Sequence, residues 1–193
     1  MSADKPRSWM KDMRALAIGS LGEALVRAEL ESLGWPMLRN VILADTASSV
    51  EIDQIACAPA AIIVLETKTY SGEVSGEPGS EIWRLGLRDG RCFDVPNAHR
   101  QNAAHITAVR RVIHDNSIPV RGYVVNAGAG QFAPALAGTV VALRDLRARL
   151  MEDSASRRGA DTALQAAWLR LVTSAARGED HRTTHVARIS WRF

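Results

Sequence analysis

The order of helical and strand patterns along this 193-residue chain predicts an α/β fold. A helical pattern over residues 13–33 is followed by three short segments rich in Val, Ile and Leu, at 37–43, 50–57 and 61–70. A second helix at 97–115 and a strand at 122–126 come next. The expected order is therefore α, three β, α, β, and then a mixed extension.

The bulk composition fits one soluble domain. Nearly half of the residues are apolar, which is enough to bury a core without disulfides. No apolar stretch approaches the roughly 18 residues of a membrane span, and the first residues are too polar for a signal peptide. We therefore expect a cytoplasmic protein that does not contact a membrane, and we assign no chemistry to its two cysteines. The net charge of +3 permits a nucleic-acid partner without requiring one.

The first helix is predicted from apolar residues at three- and four-residue spacing, and Gly34 and Pro36 end it. These apolar residues are Ile18, Leu21, Leu25 and Ala28. The three strands that follow are separated by turn-prone segments, and their simplest arrangement is an antiparallel meander. A further hairpin at 83–93, around Asp89-Gly90, is expected to be peripheral.

The second half of the chain carries weaker patterns. They predict a strand at 139–143, helices at 145–151 and 161–176, and a closing strand at 187–193, with the best linker at 154–159. We divide the chain into an N-terminal tail (1–12), a core (13–151) and a C-terminal extension of helix and strand that packs on the core (152–193).

Lys68 is unusual because lysine is so rare in this chain. Of the 24 basic residues, three are Lys and the other 21 are Arg, and Lys5 and Lys11 lie in the N-terminal tail. A compact ammonium on a flexible stem suits a site that holds a water molecule or a phosphate oxygen better than a guanidinium does. Lys68 is therefore a candidate functional residue before any motif is considered.

Strand alternation places charged residues together at the end of an apolar strand. In the third strand Glu66 and Lys68 share a face with Ile62 and Val64. Asp53 in the second strand can reach the same place if the two strands pair through a turn at 58–60. Two acids and one base would then converge.

Two neighbouring carboxylates favour a hard divalent cation, such as Mg²⁺ or Mn²⁺, between them. Such an ion can polarise a phosphodiester and activate a bound water, while Lys68 positions that water or neutralises the phosphate. Glu23 is a possible third acid on the first helix, where Gly19 and Gly22 would let the helix lie close to the sheet. This chemistry is that of a hydrolytic nuclease.

Each of these residues also has an ordinary structural interpretation. A Glu-x-Lys triplet is usually a solvated pair, Glu23 with Arg27 is a common helix pair, and Asp53 could cap a turn. The order in which they occur favours the functional interpretation, because a helical Glu, a strand Asp and a strand-end Glu-x-Lys precede a helix. The five histidines are scattered and indicate no zinc site.

Five short motifs resemble the signatures of the nuclease-related domain (NERD), a branch of the PD-(D/E)xK superfamily that includes the restriction endonucleases. These are Gly19-Ser-Leu-Gly22-Glu23, Glu51-Ile-Asp53, Glu66-Thr-Lys68, Asn97 and Gln101. The resemblance covers about residues 15–145, and it implies a restriction-endonuclease-like core with a central mixed sheet flanked by helices in αβββαβ order.

The resemblance also implies roles for individual residues. Asp53 and Glu66 would hold Mg²⁺ or Mn²⁺, Lys68 would contact water or phosphate, and Glu23 would be an accessory acid and metal ligand. Gln101 would point into the same site. One departure is that Pro96 precedes Asn97, where the family motif resembles Asn-Pro-x-x-Gln, and this weakens the case for Asn97 more than for Gln101.

Two other functions remain open at this stage. The chain could bind nucleic acid without cutting it, through phosphate contacts from arginines. The candidate arginines are Arg84, Arg88, Arg91, Arg100, Arg110 and Arg111. It could instead be a protein-interaction module that uses the region after Gly130. We expect a Mg²⁺-dependent nuclease acting on nucleic acid, with DNA as the expected substrate, and the oligomeric state stays open.

Overall fold

The computed structural model describes residues 5–44, 49–154 and 162–179. The helices in these ranges are α1 (Lys5–Ser32), α2 (Ala98–Ile113), α3 (Leu143–Ser154) and α4 (Thr162–Glu179). The strands are β1 (Met37–Ala44), β2 (Ser49–Ala58), β3 (Ala61–Lys68), β4 (Glu73–Ser75), β5 (Ile82–Gly86), β6 (Cys92–Pro96), β7 (Val120–Asn126), β8 (Gln131–Phe132) and β9 (Val140–Ala142). None of these helices has the length and apolar character needed to cross a bilayer.

The main sheet is mixed, with strand order β1-β2-β3-β7-β9. The first three strands form the antiparallel meander that the sequence predicts, and β3, β7 and β9 run parallel. Helix α2 makes the crossover from β3 to β7, since parallel neighbours need a long connection. The predicted α/β class and αβββαβ order are confirmed.

Helices cover both faces of this sheet. Ile62 and Val64 of β3 pack in one core cluster with residues of α2 and α4, whereas Ile63 and Leu65 pack with residues of α1 and α3. This is the alternation expected of a strand that is buried on both faces. The two faces of β3 therefore pack against different helices, and Glu66 lies on the same face as the residues that pack against α2.

Helix α1 begins at Lys5, earlier than the predicted start at residue 13, and it buries a different stripe from the predicted one. Val26 and Leu30 are fully buried against the sheet, whereas Ile18, Leu21 and Leu25 are exposed. Both stripes have helical spacing, so periodicity alone does not decide which one faces the core. The helix ends at Ser32, and Gly34, the predicted stop, follows it in a turn with a φ of +70° that suits glycine.

The hairpin of β5 and β6 belongs to a second sheet, with strand order β6-β5-β4-β8. Trp83 of β5 is fully buried with Val124 of β7 and Ala98 of α2, whereas four of the five residues of β6 are exposed, so the hairpin is peripheral, as expected, except at Trp83. Strands β4 and β8 were not predicted. The predicted closing strand at 187–193 and nearly all of the linker at 154–159 lie outside the described residues, and the proposed division into tail, core and extension stays a prediction.

A close contact between α1 and the sheet yields a stability prediction. A Cβ atom at Gly22 would lie 2.3 Å from Cγ2 of Thr69, whereas nothing lies within 4 Å of a Cβ at Gly19. We expect Gly22→Ala to lower the free energy of unfolding by about 1–3 kcal/mol, because the helix must move off the sheet. Gly19→Ala should raise it by up to about 1 kcal/mol, since alanine is the better helix former.

Urea denaturation of the two variants in parallel measures both effects. Equal stability of Gly22→Ala and Gly19→Ala would contradict the close packing of α1 on the sheet.

Candidate active site

The pairing of β2 with β3 brings Asp53 to the end of β3. The ladder pairs Gln54 with Leu65, and the same register places Asp53 opposite Glu66. Oδ2 of Asp53 accepts a hydrogen bond of 2.7 Å from the backbone N–H of Thr67. The Asp53 carboxylate thus lies against β3 between Glu66 and Lys68, as the sequence predicted.

Glu66 is buried and has a cationic neighbour on its own strand. Its Oε1 lies 2.6 Å from Nζ of Lys68, and the Glu66 side chain is only 6% exposed. A charged side chain this deeply buried is stable only when it is paired. Burial removes its hydration, and the low dielectric strengthens its attraction to an opposite charge. Lys68 therefore compensates one of the two carboxylates of the site.

The Asp53 carboxyl is less well compensated. Burial raises its pKa to about 6, and the neighbouring Glu66 carboxylate adds to this effect. The hydrogen bond from Thr67 and the Lys68 ammonium act in the opposite direction but do not cancel it. Half-buried Asp53 and buried Glu66 therefore share one ammonium, which is one positive charge too few at neutral pH.

Helix α2 contributes His105, which the sequence analysis did not select. Nδ1 of His105 lies 3.3 Å from Oε2 of Glu66, although the angle does not satisfy a hydrogen bond. Burial, and after it the Lys68 ammonium, lower the pKa of His105 to about 4, so the ring is neutral at pH 7. The sequence signal that could have identified His105 is its position one helical turn after Gln101, because residues at this spacing share a helix face.

The structure does not bring Glu23 into this group. Glu23 lies on α1, on the opposite face of the sheet from α2, and its backbone oxygen accepts a 2.7 Å hydrogen bond from Nε2 of Gln54. Burial and the charges of Asp53 and Glu51 raise its pKa. In the described ranges no three His, Cys, Asp or Glu side chains lie close enough to hold one ion. The Asp53 charge thus reaches Glu23, and the role of Glu23 as accessory acid and metal ligand stays a prediction.

The two residues of the second-helix motif have different surroundings. Asn97 is the N-cap of α2, accepts from the backbone of His99 and Arg100, and donates to Pro78 and Ser80. Its contacts are therefore structural. Oε1 of Gln101 is buried without a partner, and no hydrogen bond joins Gln101 to Asp53, Glu66 or Lys68 within the described part of the chain.

The segment after β3 continues the site. The backbone N–H of Tyr70 donates to Oδ1 of Asn126, a buried residue that stands beside Lys68 in the parallel pair of β3 and β7. Burial and the charge of Glu66 raise the pKa of Tyr70 to about 12. The Tyr70 hydroxyl is thus neutral and borders the acidic group.

The sequence comparisons assign the chain to a family. The family model of the nuclease-related domain (NERD) matches residues 18–127, more than half of the chain. The chain belongs to the NERD family. The NERD match begins in α1 and ends just after β7, so it contains Asp53, Glu66, Lys68 and His105.

One relative has a shorter match to this NERD chain. It is an uncharacterized protein of Bacillus anthracis that is 32% identical over 100 residues, which are 49% of this chain and 46% of that protein. The matched stretch thus spans about half the length of that relative.

The raised pKa of Asp53 predicts that this carboxyl destabilises the folded NERD domain and that the effect depends on pH. In the unfolded chain an Asp carboxyl has a pKa near 3.9, so between pH 4 and 6 the folded protein keeps a proton that the unfolded chain has lost. The cost of folding with Asp53 grows through this window and is fully present above pH 6. In EDTA, Asp53→Asn should therefore be more stable than the unsubstituted protein at pH 7.5, by on the order of 2 kcal/mol.

The stability gain of Asp53→Asn over the unsubstituted protein should be only a small fraction of its pH 7.5 value near pH 4. At that pH Asp53 is protonated in the folded state and about half protonated in the unfolded state. Urea unfolding at the two pH values measures it, with Asp94→Asn on the exposed face of β6 as the control. A stability gain of Asp53→Asn that is the same at both pH values would contradict this account.

Proposed function

We propose that this chain is a metal-dependent nuclease that hydrolyses phosphodiester bonds of nucleic acid, with DNA as the expected substrate. The observation that carries the proposal is the pairing of half-buried Asp53 with buried Glu66, with Lys68 as their one ammonium. Membership of the nuclease-related family supports the same reaction class. The same three residues are predicted from the sequence alone.

The residues present fit a divalent cation. Carboxylate oxygens are hard ligands, and Mg²⁺ commonly binds to one or two carboxylates while it keeps several waters. The repulsion between Asp53 and Glu66, expressed in the raised pKa of Asp53, is what a divalent ion would relieve. Asp53 and Glu66 would hold the ion. When bound, it polarises the phosphodiester and lowers the pKa of a coordinated water.

The protein side chains have separate roles in the rest of the hydrolysis. Lys68 carries a positive charge beside Glu66, so its ammonium can orient the attacking water or stabilise the charge that develops on the phosphate. The bond from Thr67 fixes the orientation of Asp53. Hydrolysis forms one P–O bond to the water oxygen and breaks one P–O ester bond, and the leaving oxygen takes up a proton.

His105 contacts Glu66 and has a supporting role in the proposed hydrolysis. Because its pKa is lowered to about 4, the ring is neutral and adds no charge that would compete with a metal ion for Glu66. Its contact of 3.3 Å limits the positions that the Glu66 carboxylate can take. His105 is thus a positioning residue.

Substitution of the core residues tests the proposal. Asp53→Asn and Lys68→Ala should each lower Mg²⁺- or Mn²⁺-dependent cutting by more than about a hundredfold, because each removes a charge that acts on the transition state. Cutting is measured on supercoiled DNA, linear duplex DNA, single-stranded DNA and RNA, before and after EDTA is added.

The matched controls are Asp94→Asn, which removes an exposed acid, and Arg149→Ala, which removes an exposed base on α3. Both should cut like the unsubstituted protein, and circular dichroism should show that every variant is folded. Normal cutting by Asp53→Asn or Lys68→Ala, or no cutting of any of the four substrates, would overturn the proposal.

A further inference from the structure

Two neighbouring cavities lie beside the candidate active site. The larger, about 490 Å³, is bordered by the ends of β7 and β9 and by Arg144 at the start of α3. The smaller, about 250 Å³, lies between the segment that follows Tyr70 and Arg88 of the β5–β6 hairpin. Ala129 and Gln131 line both cavities, so the two adjoin at this short segment, and we refer to both together as the cleft.

The cleft lies next to Lys68, because residues that line it pair with Lys68 or follow it closely in the chain. Asn126 lines the larger cavity and is the register partner of Lys68. Ser71 and Gly72 line the smaller cavity and follow Tyr70, whose backbone is bonded to Asn126. Since β3, β7 and β9 are parallel, their carboxyl ends meet at this edge, where open α/β sheets commonly bind ligands.

Much of the cleft wall is backbone. A Cβ atom at Gly128 would lie 2.2 Å from the carbonyl oxygen of Tyr70, so this segment can pack here only as glycine. Gly138, with a φ of +81°, lines the larger cavity and has open space where a Cβ would be. Glycines at these positions leave the backbone open to close approach by a ligand.

The charges at the two ends of the cleft are positive. Arg144 is 85% exposed and lies 3.6 Å from its neighbour Asp145, and exposed Arg88 has no ion pair in the described ranges. Glu73 is the one carboxylate among the described residues that line either cavity. A guanidinium matches the geometry of phosphate oxygens, so Arg88 and Arg144 are suited to contact the phosphates of a strand.

We propose that this cleft binds the nucleic-acid strand that continues beyond the scissile phosphate, with Arg88 and Arg144 as its phosphate contacts. The inference rests on the proposed function, because that function supplies the ligand class. Ala129, exposed at the centre of the cleft, faces the bound strand.

Binding of a short fluorescein-labelled single-stranded DNA, measured by anisotropy in EDTA, tests this without any cutting. Over about 50 to 200 mM salt, Arg88→Ala and Arg144→Ala should each weaken binding and reduce the slope of log K against log salt by about 0.7. Ala129→Glu should weaken binding more strongly than Ala129→Gln, because only the first places a negative charge in the cleft.

Two arginines outside the cleft serve as matched controls. Arg149 is on the same helix as Arg144, and Arg91 is on the same hairpin as Arg88, where Asp89 already compensates its charge. Arg149→Ala and Arg91→Ala should leave both affinity and slope nearly unchanged.

The outcomes separate this inference from the proposed nuclease activity. If the protein binds DNA through Arg88 and Arg144 but never cuts, the cleft stands and the nuclease proposal fails. If the protein cuts but the cleft variants bind with the original slope, or if the controls lose as much as the cleft variants, the cleft assignment is overturned. Absence of DNA binding would overturn it as well.

Discussion

The antiparallel pairing of β2 with β3 is the interaction on which the rest of the site depends. It places Asp53 and Glu66 side by side at the end of a strand that is otherwise apolar and buried on both faces. The fully buried Ile62, Val64 and Leu65 fix the register, since a slip of one residue would turn every side chain to the other face. Burial of the hydrophobic core thus holds two like charges together, against their repulsion.

The crossover from β3 to β7 completes the surroundings of these charges. Helix α2 packs on the face that carries Glu66 and supplies His105, while β7 supplies Asn126 beside Lys68. The second sheet then packs against the beginning of α2 through Trp83. The groups of the site therefore come from β2, β3, α2 and β7, and each of these elements also contributes residues to the same apolar core.

Much of this arrangement could be predicted from the sequence because successive side chains of any strand point to opposite faces, so residues two apart share a face. Glu66 and Lys68 follow from the alternation of β3, and Asp53 follows from the turn between the two strands. The buried side of α1 could not be predicted, since apolar residues occupy both of its faces. Strands β4 and β8, with three and two residues, are too short for periodicity. The position of Glu23 also depends on which face α1 covers, and His105 depends on how α2 packs.

We propose that half-buried Asp53 and buried Glu66 together lack one positive charge, which a divalent cation supplies. Titration of the Asp53 side-chain carboxyl by ¹³C NMR, without and with saturating Mg²⁺, tests this most directly. The account predicts a pKa of about 6 without Mg²⁺ and a pKa well below that with it. An Asp53 pKa near its ordinary value without Mg²⁺, or one that Mg²⁺ does not change, would contradict the account.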